Sequence, residues 1–179
     1  MLELHIPARE AFDEATQYFV NTNPTTLRLE HSLVSVSKWE ARWKKPFLSR
    51  TAKTVEETLD YIRCMTINQN VDPNVYYVLT NTEIKAINEY IEDEKTATTF
   101  SNNDRRDSRQ VVTSELIYYW MTAYNISIEC QKWHLSRLLT LIRIASIENA
   151  PKKKMSKQAI LSQNRSLNAA RRKALGSRG

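Results

Sequence analysis

Catalysis and metal binding need particular side chains at particular spacings, and this chain supplies few of either. Its histidines are His5, His31 and His134, too scattered to form the His-x-x-x-His or Cys-x-x-Cys pairs that hold a metal ion. His134 follows Trp133 in an apolar stretch and reads as a core or boundary residue, not a ligand. No Gly-x-Ser-x-Gly elbow occurs. Only Gly176 and Gly179 are glycines, so no loop can cradle a phosphate or let backbone approach a nucleotide. Glu56, Glu57 and Asp60 have the character of capping and solvated-face carboxylates. Cys64 and Cys130 lie far apart within helical patterns. They read as reduced thiols, with one long-range disulfide as the alternative. The expectation is a protein without catalytic residues, metal or cofactor, and not an enzyme.

Side chains suited to binding are more plentiful. Trp39 and Trp43 stand four apart, followed by Phe47, and Tyr76 and Tyr77 are adjacent. Two readings of these aromatics stay open: helix–helix core contacts, or exposed anchors for a partner. Charge marks a second region. The formal charge is +6, yet residues 151–179 hold nine Lys or Arg and no acid, leaving the preceding 150 residues at about −3. Lys152, Lys153, Lys154, Arg165, Arg171, Arg172 and Lys173 could neutralise phosphates. No aromatic residue follows Pro151 to stack on bases. Three readings of this tail stay open: a solvated end, a surface for an acidic protein, and a nucleic-acid contact.

The elements that must position these residues follow from periodicity. Leu2, Leu4 and Ile6 alternate with polar residues, as do Leu27 and Leu29, and predict a small N-terminal β element. From about Ser32 the period becomes helical, with Val36, Trp39 and Trp43 on one stripe, a cap at Ser35 or Ser37, and an end at Pro46. Thr54-Val55-Glu56-Glu57 and Thr80-Asn81-Thr82-Glu83 match the capping box. They open helices carrying Val55, Leu59, Ile62 and Met65, then Ile84, Ile87 and Ile91. Between them Val75-Tyr76-Tyr77-Val78-Leu79 reads as a strand or extended connector. Residues 95–110 read as an exposed, mobile loop. A helix from Thr113 or Ser114 ends at Asn125. Another, capped by Ser127 and holding Cys130, Trp133, Leu138, Leu141 and Ile142, is apolar nearly all round and is expected in the middle of the core. After a Lys152–Lys154 hinge, a basic helix over roughly 157–175 closes at Gly176.

The fold class expected is mainly α (α+β): a bundle of about five to six helices with a small N-terminal β element and a basic C-terminal helix. Residues 1–150 form the body, and 151–179 the hinge and last helix. No apolar run approaches the roughly 20 residues that span a bilayer. The N-terminus lacks the basic and apolar regions of a signal peptide, so a cytosolic protein is expected.

Several runs carry a family resemblance. They are Leu29-Glu30-His31-Ser32-Leu33-Val34-Ser35-Val36-Ser37-Lys38-Trp39-Glu40, Lys45-Pro46-Phe47-Leu48, Ser114-Glu115-Leu116-Ile117-Tyr118-Tyr119-Trp120-Met121, Glu129-Cys130-Gln131-Lys132-Trp133-His134-Leu135 and Asn164-Arg165-Ser166-Leu167-Asn168-Ala169-Ala170-Arg171-Arg172. Together they resemble the tail assembly chaperones of tailed bacteriophages. The resemblance implies a non-catalytic protein of the host cytoplasm that coats the tape-measure protein and assists tail-tube polymerisation. Tape measure, tail-tube protein and further copies of the chain are the implied partners. Trp39, Trp43, Phe47, Tyr76 and Tyr77 are the candidate contact residues. The alternative is a virion component (connector, tail-completion or head-associated) whose basic helix docks on a neighbouring subunit or DNA.

Overall fold

The computed structural model describes residues 1–13, 18–100, 111–150 and 157–176. The fold is mainly α with a small antiparallel β part, as the periodicity implies. Contacts divide it into two units, Met1–Ser146 and Ile147–Gly179.

The β part is a ribbon of two ladders. Strand β1 (Leu2–Ile6) pairs with β4 (Thr25–Leu29), and β2 (Arg9–Asp13) pairs with β3 (Tyr18–Thr22). Pro7 and Pro24 fall in the gaps between the ladders, where a residue without N–H costs no ladder bond. The alternation read in the sequence is real: Leu2 faces Leu29 and Leu4 faces Leu27 across β1–β4, with Leu27 and Leu29 fully buried. The β2–β3 hairpin has no comparable apolar alternation and was not legible in sequence. Arg9 ties its root to the body, donating to the Val78 carbonyl and, through two nitrogens, to both Glu83 oxygens at 2.7 and 2.8 Å.

Helix α1 (Leu33–Trp43) starts at Ser32, not at Ser35 or Ser37. Ser35 sits at the third helical position and reciprocates, its hydroxyl accepting from Ser32 N–H while Ser32 Oγ accepts from Ser35 N–H. The helix ends at Lys44, which takes left-handed geometry before Pro46. Helix α2 (Val55–Met65) and helix α3 (Asn81–Glu92) open on the two capping boxes as read, at Thr54 and Thr80. Thr80→Ala removes the acceptor for Glu83 N–H and should cost about 1 kcal/mol of stability in urea unfolding. Contrary to the sequence stripe, Val55 on the first turn is exposed although it shares the helix face of buried Ile62.

Between α2 and α3, residues 75–79 are not a strand. Asp72 Oδ1 accepts from Asn74 N–H, and Pro73 at the first position winds Pro73–Tyr76 into a 3-10 turn. Helix α4 (Ser114–Ala123) is capped by Thr113 and stopped by Asn125, which adopts φ 53°. The segment that follows also departs from expectation. Ser127 opens only a 3-10 turn, Ile128–Lys132, and helix α5 begins at Leu135 and runs to Glu148. The break is held by long-range bonds: Leu135 N–H donates to the His31 carbonyl at 2.7 Å, and Ser32 bridges His134.

The core is therefore centred on β1–β4, α1 and α2, with Leu27, Leu29, Leu33, Val36, Trp39, Ile62 and Met65 at its heart. Helix α5 buries one edge through Leu135, Leu138 and Ile142, while Ile144 and Ile147 are exposed, so it flanks the core instead of occupying its centre. Cys64 and Cys130 are free thiols.

The second unit contains helix α6 (Lys157–Leu175), with the boundaries read from sequence and Gly176 at φ +60° closing it. Ile160, Leu161, Leu167 and Leu175 on it are exposed. The Lys152–Lys154 hinge and most of the 95–110 loop (101–110) lie outside the described residues. No helix among the described residues is long and apolar enough to cross a membrane.

Candidate functional site

On α2, residues 56, 59, 60 and 63 recur at the three-, four- and seven-residue spacing that lines one helix face. Glu56, Leu59, Asp60 and Arg63 form one wall of a groove. Arg42 and Trp43 at the end of α1 form another, and Pro73, Tyr76 and Tyr77 of the 3-10 turn close it. Its volume is about 240 Å³, below the roughly 300–1,000 Å³ of sites that enclose a small-molecule ligand. It suits one or two protruding side chains.

Electrostatics pre-arrange this groove. Asp60 Oδ1 accepts from Arg42 at 2.6 Å and Oδ2 from Trp43 Nε1 at 2.9 Å. Both oxygens are thus occupied, and the indole is tethered at its Nε1. Tyr76 donates its hydroxyl to Thr66 Oγ1 at 2.9 Å. Tyr77 has no such tether and is 75% exposed, an unusual position for a large ring with a solvent-facing neighbour groove.

The sequence-selected aromatics separate into two groups. Trp39 and Phe47 belong to the core: they meet edge-to-face at 5.2 Å, and Phe47 lies against Tyr61 at 4.0 Å. Trp39 Nε1 also donates to the Glu57 carbonyl, and Lys53 covers Phe47 at 4.3 Å. Tyr76 is buried as well. All three pack against α2 or its C-terminal end, and Tyr76 also lines the groove. Trp43, Tyr76 and Tyr77 line the groove; of these Trp43 is part-buried and Tyr77 exposed. Arg165, Arg171, Arg172 and Lys173 are exposed on α6; Lys152, Lys153 and Lys154 lie outside the described residues.

Leu59, Arg63, Glu56 and Pro73 complete the groove and were not singled out beforehand as binding residues. The α2 stripe was the available signal, but only the tertiary position of the 3-10 turn turns it into a wall. Two carboxylates also leave their expected solvated face. Glu57 is buried, with one oxygen accepting from Thr54 N–H and the other from Lys45 Nζ. The Lys45 ammonium, first among the causes, holds that carboxyl below the usual range.

A second apolar depression of about 330 Å³ lies between α4 and α5, lined by Trp120, Tyr124, Leu139, Ile142, Arg143 and Ser146. Burial pushes the Cys64 thiol up to about 11, with Asp60 adding to the shift, so it stays protonated and unreactive near neutrality. Among the described residues, no three His, Cys, Asp or Glu side chains are grouped to hold a metal ion. No protein-family model, curated protein or solved structure matches the chain.

Proposed function

We propose that the protein is a non-catalytic tail assembly chaperone of a tailed bacteriophage, acting in the host cytoplasm, which binds the tape-measure protein and assists tail-tube assembly. The observation that carries this reading is the open aromatic groove between α1, α2 and the Pro73–Tyr76 turn, with Tyr77 exposed at its edge. A chaperone for a long helical client needs solvent-facing apolar surface that grips side chains without enclosing a small ligand. The α4–α5 depression adds a second such surface on the same unit. The family resemblance of the sequence supplies the identity of the client, and tail-tube protein is a further candidate partner.

Co-expression with the tape-measure protein of the same genome is the direct test. The full chain should co-purify with it and keep it in the soluble fraction. Combined Trp43→Ala and Tyr77→Ala should cut recovery by about tenfold or more, as expected when central anchors are truncated. Stoichiometric presence in purified mature particles would sink the proposal.

A second reading is favoured by α6 alone. That helix exposes Arg165, Arg171, Arg172 and Lys173 and contains no acid, which suits a virion component docking on DNA or an acidic neighbour. DNA binding that weakens steeply with salt and is lost on deleting residues 151–179 would select this alternative.

A further inference from the structure

The groove has a charge axis as well as an apolar floor. Glu56 lies at one end and Arg63 at the other, two turns apart on α2, or roughly 10 Å at 1.5 Å per residue. Both are exposed, and neither makes an ion pair or side-chain hydrogen bond with another described residue. The charges between them are cancelled, because Asp60 is held by Arg42 and Trp43. What remains is an apolar centre formed by Trp43, Leu59 and Tyr77, with an unmatched negative end and an unmatched positive end.

We infer that this groove takes an amphipathic α-helix of a partner protein. The helix carries one large aliphatic or aromatic anchor between a carboxylate and a cationic side chain about two turns apart. This rests on the chaperone reading and specifies what the client must present. The anchor enters the space of about 240 Å³, the client carboxylate meets Arg63, and the client cation meets Glu56. A helix supplies this pattern naturally, since residues seven apart return to the same face. A helix without carboxylates, such as α6 of a second copy, leaves Arg63 unmatched.

Three labelled, Ala-rich helical peptides of roughly 20 residues, alike except at two positions seven apart around a central Leu, test this with the full chain. The two positions carry Glu and Lys, Glu and Glu, or Lys and Lys. Fluorescence anisotropy at low salt should show the Glu/Lys peptide binding about two- to fivefold more tightly than the others, the range expected of exposed ion pairs. Arg63→Glu should shift the preference to Lys/Lys, and Glu56→Lys to Glu/Glu. Tyr77→Ala should weaken all three alike.

Absence of binding, or a ranking untouched by the charge swaps, overturns the inference. If the chain then still captures tape-measure protein, the chaperone reading survives and the client site lies elsewhere; if capture fails too, both fall. Self-association seen by sedimentation and abolished by Tyr77→Ala would identify a second copy as the occupant, which also overturns it.

Discussion

Glu40→Ala should destabilise the body by about 3–5 kcal/mol, because it strands two buried backbone donors at once. Glu40 is a charged residue only 7% exposed on α1. Its Oε1 accepts from Phe47 N–H and its Oε2 from Ser114 N–H, each at 2.7 Å. One carboxylate thereby fastens the turn after α1 and the first residue of α4. The second contact also places negative charge at the positive end of the α4 dipole. Alanine offers neither amide an acceptor, and both Phe47 and Ser114 are too buried for bulk water to substitute. A loss of this size is a large share of the roughly 5–15 kcal/mol that holds a domain together. It should lower the melting temperature by on the order of 10 °C. Glu40→Gln keeps one acceptor but turns an NH₂ toward the other donor, so it should recover only part of the loss. Urea unfolding followed by Trp fluorescence measures both variants. A cost below about 1 kcal/mol for the alanine variant would mean that the two amides find other partners.

The second large effect is acid destabilisation centred on a buried histidine pair. His31 and His134 lie edge-to-face at 5.1 Å, both buried. His31 Nδ1 shares a hydrogen bond with the Tyr61 hydroxyl, and His134 Nε2 donates to the Tyr90 carbonyl. Burial, then the neighbouring His134, lower the His31 pKa to about 4, against a smaller opposing pull from Glu30. His134 is lowered too, by burial first, with Lys95 acting in the same direction and Asp93, Glu30 and the Tyr90 carbonyl opposing. Both rings are therefore harder to protonate folded than unfolded. Their contribution is fully present above the unfolded value near 6.5 and is lost as pH falls from there through about 4.

For His31 alone the loss reaches on the order of 3 kcal/mol at pH 4. Glu83 enters only at the lower end of this window: Arg9 holds its carboxyl at about 2, so its contribution goes between about 4.5 and 2. Chemical unfolding measured at intervals from pH 7 to pH 4 should show the decline, and His31→Phe should flatten it whatever its own baseline. A wild-type curve flat between pH 6.5 and 4.5 would contradict the assignment.

Glu40 and the histidine pair also show where sequence reading stops. Glu40 gave no signal of its own, since its partners are seven residues and 74 residues away. His134 was legible as a buried residue from its apolar surroundings, but its contact with His31 depends on how α5 docks. Likewise, Trp39 and Trp43 share one helical stripe, yet only the position of α2 makes the first a core residue and the second a groove wall.

What the sequence by itself determined is local. The capping boxes at Thr54 and Thr80, the breaks at Pro46 and Asn125, the alternation within β1 and within β4, and the whole extent of α6 with Gly176 each depend on groups within a few residues, or on a period the chain itself displays. What only the tertiary structure decided is which of those faces are covered. The 3-10 turn found where a strand or extended connector was expected at 75–79 leaves Tyr77 exposed and Val75 buried. The long-range bonds to His31 and Ser32 cut short the helix expected from Ser127. The groove exists because the end of α1 and the 3-10 turn after α2 both fold back against one face of α2. Burial and long-range pairing depend on the relative placement of elements, and no local spacing encodes that placement.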